Sequence, residues 1–76
     1  MKYIRPNYQS LVKEVRRQLS ISQEDLAREL GVSYATVNRW ENGQARPSKL
    51  ARVQLDIFCE RMQKAGMLNL PENSND

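Results

Sequence analysis

Residues 22–43 read SQEDLARELGVSYATVNRWENG, a stretch that contains two helix starts and two helix ends. Ser22 is a hydroxyl residue followed by acidic residues, a pattern typical of a capped helix start. Ser33 offers a second start of the same kind. Gly31 and Gly43 follow the two segments, and glycine leaves a helix in the left-handed conformation at no steric cost. The stretch therefore predicts two short helices joined by a tight turn.

Within this stretch, four positions carry the residue types that two closely crossing helices require. Ala27 is small, so the backbones can approach each other, and Gly31 permits the turn. Val37 and Trp40 are three residues apart, so they lie on one helix face and point inward together. This combination predicts a helix-turn-helix over residues 22–42 rather than a generic helical hairpin, which is the alternative.

The apolar spacing outside this stretch is also helical. Residues 8–19 repeat apolar side chains at intervals of three and four, which predicts one amphipathic helix. Ser48 opens a long helix predicted over about residues 49–65, with Gly66 as its C-cap. No segment alternates as a strand does. We expect an all-α single domain over residues 1–76, frayed beyond residue 70.

Composition narrows the classes of function. With one cysteine and no histidine among 76 residues, an internal disulfide is excluded and neither a metal nor a cofactor is expected. There is also no pairing of nucleophile and base, so we do not expect an enzyme. No apolar run is long enough for a membrane span, and the N-terminus lacks the apolar region of a signal peptide, so a cytoplasmic location is expected.

Positive charge is concentrated in the first two thirds of the chain. The net charge is +3, made up of +5 for residues 1–52 and −2 for residues 53–76. The first part is therefore predicted to face a polyanion, with ordinary solvated charge as the alternative.

The sequence resembles the Cro/XRE helix-turn-helix family, the phage-repressor type. The runs SQEDLA, LGVS and WENG, followed by Pro47, carry the resemblance, which covers about residues 8–52. It implies a compact lambda-repressor-like domain of four or five helices, whose helix at about 33–41 lies in the major groove of double-stranded DNA. The function it implies is that of a transcriptional regulator, most often a repressor. Family members usually end in two shorter helices where this chain has one long helix, so the mode of dimerisation stays open.

The outer face of the predicted helix at 33–41 is expected to meet the bases. Arg39 is the strongest candidate, because its guanidinium can donate two hydrogen bonds to guanine; a phosphate contact is the alternative. Asn38 can pair with adenine, or be merely solvated. Tyr34 and Ala35 match the positions at which the resembling family contacts bases.

Phosphate contacts are expected around that helix. By resemblance Gln23 is a phosphate clamp at the start of its helix, with a structural role at that first helical position as the alternative. Thr36 lies at the edge of the recognition face, and the following loop and helix start contribute Asn42, Arg46 and Lys49. Such contacts fix the orientation of a protein on DNA without reading sequence.

Glu41 is unsuited to DNA because of its negative charge. Its place directly after an inward-facing tryptophan suggests a structural partner on the first helix, either Arg16 or Arg17.

The final helix is apolar over a wider arc than one small core needs. One stripe contains Leu50, Val53 and Ile57, and the other contains Ala51, Leu55, Phe58 and Met62. We expect a homodimer whose interface includes Leu55, Phe58 and Met62. The alternative is that the chain covers the helix itself, through residues 1–4 and 67–70.

A second function from another class is an antitoxin or adaptor subunit, which would bind a protein partner through the last helix as well as DNA. Nothing in the sequence indicates a small-molecule ligand.

Overall fold

Side-chain caps start each of the four helices in the computed structural model, which describes residues 7–70. The helices are α1 (Tyr8–Leu19), α2 (Gln23–Leu30), α3 (Tyr34–Glu41) and α4 (Lys49–Lys64). The predicted all-α class is confirmed, since no strand occurs within the described range.

The caps follow the local sequence signals. Each cap side chain accepts a hydrogen bond from the backbone N–H three residues later, and the capping residues are Asn7, Ser22, Ser33 and Ser48. At α2 the bond is reciprocal: the Asp25 carboxylate accepts from the Ser22 N–H at 3.1 Å, completing a capping box.

The helix ends agree with the predicted breaks to within one residue. Gly31 is the C-cap of α2, and Asn42, followed by Gly43, is the C-cap of α3; both glycines have φ +74°. α4 ends one residue earlier than predicted, with Ala65 rather than Gly66 as its C-cap. Gly66 has φ +76° and turns the chain back toward the core.

The C-cap of α1 is a serine, a residue type that does not predict the end of a helix. Ser20 adopts the left-handed conformation, with φ 55° and ψ 46°, and it is the one non-glycine residue with positive φ in residues 7–70. Its N–H bonds back to the carbonyls of the last turn of α1. The position stores backbone strain, because a Cβ crowds the following carbonyl in this conformation.

One core joins all four helices. Its most deeply buried side chains come from α1, α2, α3 and α4 and are Val12, Val15, Leu26, Val37 and Leu55. Ala27 lies in the same cluster, and so does Trp40, which is 2% exposed.

α4 faces the core with a different side from the one predicted. Leu55 and Phe58 are buried in the core of the same chain, and Met62 packs against it half-buried. The expectation that these three residues form a dimer interface is therefore wrong for Leu55 and Phe58, because their side chains are already covered. The outward stripe of α4 is the other one, with Leu50, Val53 and Ile57.

The segment after α4 covers part of the core. Leu68 is buried, and the Gln18 side chain binds the backbone of Asn69 twice: it accepts from the N–H at 2.7 Å and donates to the carbonyl at 2.9 Å. Met67 is exposed, and so are Leu50, Val53 and Ile57, so residues 67–70 do not provide the alternative cover for the outward stripe of α4. Residues 1–4 and 71–76, for which a second cover and a frayed tail were predicted, lie outside the described residues.

Ser20→Gly should stabilise the protein by about 1 kcal/mol, because glycine removes the steric cost of the left-handed conformation. Urea unfolding of both proteins measures the difference. The matched control is Ser10→Gly inside α1, where the backbone is helical and the same substitution should destabilise. An unchanged or lowered stability for Ser20→Gly contradicts the strain at this position.

Candidate nucleic-acid interface

Glu41, the last residue of α3, is the one buried charged residue within residues 7–70. Its carboxylate accepts hydrogen bonds from Arg16 Nε at 2.6 Å, Arg16 Nη2 at 2.9 Å and Gln23 Nε2 at 3.0 Å. A buried charge is stable only when it is paired and hydrogen-bonded, and these three donors meet that requirement. We call Arg16, Gln23 and Glu41 the Glu41 network.

The network connects the first three helices. Arg16 lies on α1, Gln23 begins α2 and Glu41 ends α3, and Arg16 Nη1 also donates to the Ile21 carbonyl in the α1–α2 loop at 3.1 Å. Of the two predicted partners for Glu41, the structure selects Arg16. Arg17 instead pairs with Glu14 on the surface of α1. The network therefore fixes where α3 ends relative to the start of α2.

The electrostatics of the network follow from its geometry. The hydrogen bonds from Arg16 lower the pKa of Glu41, and Gln23 and the nearby charge of Lys13 lower it further, against an opposing effect of burial. The same contacts with Glu41 raise the pKa of Arg16. The sequence analysis did not identify Lys13 as a neighbour of Glu41. Its position three residues before Arg16, on the same side of α1, is the feature that could have indicated it.

α3 has an inner face in the core and an outer face in solvent. Val37, Trp40 and Glu41 are buried. The four predicted base-contacting residues lie on the other side: Tyr34, Ala35 and Arg39 are exposed and Asn38 is half-buried. The structure thus places these four on one solvent-facing surface, which we call the recognition face.

The Thr36 hydroxyl is less available for the predicted phosphate contact than its position in the sequence suggested. Its hydroxyl lies 2.9 Å from the hydroxyl of Ser33, and its backbone N–H donates to that same hydroxyl at 3.1 Å. Its side chain is therefore part of the start of α3, with a methyl group left for an outside contact.

The start of α2 lies beside the end of α3, because Gln23 touches Glu41. No hydrogen bond among the described residues uses the backbone N–H groups of Gln23 and Glu24, as expected for the first turn of a helix. One amide hydrogen of Gln23 is held by Glu41 and the other is available. These donors could hold an anion, although Glu24 adds a negative charge to the same turn.

The loop after α3 adds cationic and polar groups. Asn42, Arg46 and Lys49 are exposed. Arg46 and Gly43 line a cleft of about 410 Å³ between this loop, Trp40 and the start of α1. A Cβ at Gly43 would lie 3.1 Å from Gln9 Oε1, so the loop passes close to a side chain at the start of α1.

A helix-turn-helix family model matches residues 12–51, which include all of α2 and α3 and the loop that follows. The chain belongs to the Cro/C1-type helix-turn-helix family. It therefore binds double-stranded DNA sequence-specifically through its helix-turn-helix. Comparison with curated proteins and with solved structures finds no match.

This family membership agrees with the chemistry of the chain. The family is one of DNA-binding regulators and not of enzymes. Burial raises the pKa of the Cys59 thiol to about 11, so it is protonated at neutral pH and is not an activated nucleophile. None of the helices in residues 7–70 has both the length and the apolar character needed to span a bilayer.

Arg16→Met should destabilise the protein by about 3–5 kcal/mol, because it leaves a buried carboxylate without its cation. The double variant Arg16→Met with Glu41→Leu should recover most of that loss, since apolar groups of similar volume need no partner. Urea unfolding of the single and double variants measures both effects. The control is Arg17→Met, which breaks an exposed ion pair and should change stability little. A double variant no more stable than Arg16→Met contradicts this account.

The stabilisation due to Glu41 should depend on pH. Since its pKa is lowered in the folded state, its contribution is present above the ordinary carboxyl range of about pH 4 and is lost as the pH falls through the folded value. The stability difference between the wild type and Glu41→Gln should therefore shrink from pH 7 toward acid. A difference that stays constant throughout rules out the paired carboxylate as its source.

Proposed function

We propose that the chain is a transcriptional repressor that binds its operator as a homodimer, with α3 in the major groove. The observation that carries the proposal is the two-sided character of α3. Its inner face is used by the core and the Glu41 network, which leaves its outer face free for DNA. A single α-helix fits the major groove, where every base pair presents a distinct pattern of donors and acceptors.

In this proposal the recognition face reads the bases. Arg39 donates two hydrogen bonds to guanine O6 and N7, and Asn38 pairs with adenine. Tyr34 and Ala35, at the start of α3, contact base edges or thymine methyl groups. Tyr34 is 51% exposed, so its ring is accessible, and an interface on DNA would cover it.

Phosphate contacts surround the recognition face. The two free N–H groups at the start of α2 and the free amide hydrogen of Gln23 clamp one phosphate, in the position that the Glu41 network sets. The exposed residues of the loop and of the start of α4 contact the backbone on the other side of α3, namely Asn42, Arg46 and Lys49. The Thr36 methyl group is left to contact DNA at the edge of the face.

Two copies would read two half-sites about one turn of DNA apart, which is how a small domain with few base contacts gains affinity. Repression then follows from occupancy of the operator, with no ligand required. In this proposal the protein acts in the cytoplasm, where an operator of the bacterial or phage type would lie. The alternative function, as an antitoxin or adaptor subunit, requires a surface for another protein; the outward stripe of α4 is available for it and is assigned below to a second copy.

Arg39→Ala should reduce the preference for the operator over random DNA by about 1–3 kcal/mol, because it removes a bidentate base contact. Arg46→Ala should instead weaken binding to both DNAs nearly equally and reduce the salt dependence by about one charge. The operator is obtained by selecting binding sites from a random duplex pool with the wild-type protein, and binding is then measured by fluorescence anisotropy at several salt concentrations.

The matched control is Arg17→Ala, which removes a surface charge that pairs with Glu14 on α1. It should leave the operator preference unchanged. If Arg39→Ala keeps the full preference, Arg39 contacts phosphate rather than base; if no sequence is enriched by the selection, the proposed function is wrong.

A further inference from the structure

α4 carries an apolar surface that the core does not use. Leu50 is 70% exposed, Val53 46% and Ile57 52%, and these are three of the five large exposed apolar side chains in residues 7–70. Spacings of three and four residues place them on one side of the helix, which we call the α4 stripe. The core-facing side of the same helix holds Ala51, Leu55, Phe58 and Cys59. The helix thus has two apolar sides, and its own chain covers one.

We propose that a second copy of the chain covers the α4 stripe by packing its own α4 against it in the antiparallel direction. The inference rests on the proposed homodimer and names its surface. The stripe is self-complementary about a two-fold axis between Val53 and Ile57, because that axis brings each Val53 opposite the Ile57 of the other copy. Leu50 then lies against the aliphatic part of Arg61 in the second copy.

The charges beside the stripe favour the antiparallel direction. Lys49 and Glu60 are eleven residues apart, about three helical turns, so they lie along the same edge of the stripe. In the antiparallel arrangement each Lys49 faces the Glu60 of the other copy, and this pair forms twice. In a parallel arrangement Lys49 and Glu60 lie at opposite ends of the interface and cannot pair, and Lys64, seven residues after Ile57 and so in line with the stripe, meets the Lys64 of the other copy.

The present partner of Glu60 does not prevent this pairing. Its contact is with Lys64 at 3.8 Å, and both side chains are more than two-thirds exposed. An exposed pair of this length contributes little and is easily exchanged. In the antiparallel arrangement the N-terminus of each α4 also lies on the same side as the C-terminus of the other, so the two helix dipoles attract each other.

The size of the stripe sets the expected strength of the dimer. Three apolar side chains from each copy form a smaller patch than the roughly 800 Å² per partner of a standard interface. Self-association should therefore be weak in free solution. It should strengthen on DNA with two half-sites, because the first copy raises the effective concentration of the second.

Sedimentation equilibrium of the full chain without DNA, up to millimolar concentration, tests whether the α4 stripe is the dimer interface. The wild type should show a monomer–dimer equilibrium, and Ile57→Glu should raise the dissociation constant at least about tenfold, since it places charge in the apolar centre. Met67→Glu is the matched control: it makes the same change at an equally exposed apolar residue off the stripe and should leave the constant unchanged. Circular dichroism checks that each variant is folded.

A charge exchange tests the direction of packing. Lys49→Glu and Glu60→Lys should each weaken the dimer by about fivefold, and the double variant should restore it, because the opposite charges then face each other again. The measurement is made without DNA because Lys49 is also a proposed phosphate contact. Failure of the double variant to restore association overturns the antiparallel arrangement.

The other outcomes separate this inference from the proposed function. If Ile57→Glu dimerises as strongly as the wild type, the protein is a homodimer but the α4 stripe is not its interface. A wild type that stays monomeric at millimolar concentration overturns the second copy as the occupant of the α4 stripe. Enrichment of a specific duplex in the binding-site selection reports on DNA recognition independently of these sedimentation results.

Discussion

A single buried carboxylate, Glu41, holds the helix-turn-helix in register. α3 has eight residues, shorter than the roughly 12–15 at which an isolated helix is even marginally stable in water. Its position therefore depends on tertiary contacts. Val37 and Trp40 supply the apolar part of these contacts, which is strong but not directional. The Glu41 network supplies the directional part, because charge-assisted hydrogen bonds fix distances and angles.

The same network relates the two parts of the proposed DNA interface. Arg16 holds the carboxylate from α1, and the carboxylate in turn holds the Gln23 amide at the start of α2. The donors proposed for a phosphate are thus attached to the end of the helix proposed to read bases. A loss of the network would cost stability and would also loosen the spacing between these two contacts, and docking on DNA depends on that spacing.

Local signals in the sequence predicted most of the fold and placed the recognition face. Helix starts at Ser22, Ser33 and Ser48 were predictable because a cap is a contact between residues three apart. The outward position of Arg39 follows from the inward positions of Val37 and Trp40. The left-handed Ser20 was not predictable, because the hydrogen bonds that hold it in place act on a residue with no preference for that conformation.

Long-range packing decided the rest. The two apolar stripes of α4 are similar in composition, and only the shape of the surface formed by the other helices determines that Leu55 and Phe58 enter the core while Leu50 and Ile57 stay outside. The attachment of Asn69 to Gln18 joins residues 51 apart, which no local pattern reveals. The orientation of α4 and the attachment of Asn69 therefore could not be predicted by extending the family motif along the chain.

Amide chemical-shift mapping by NMR, with the selected duplex titrated into the labelled protein, shows directly which surface of the domain meets the DNA. We expect the largest changes at residues 34–39, at the first turn of α2 and in the loop from Asn42 to Lys49. Arg17 and the other outward residues of the C-terminal half of α1 should change little. Large changes confined to α1 or to the C-terminal half of α4, with residues 34–39 unaffected, would contradict the claim that the outer face of α3 meets the DNA.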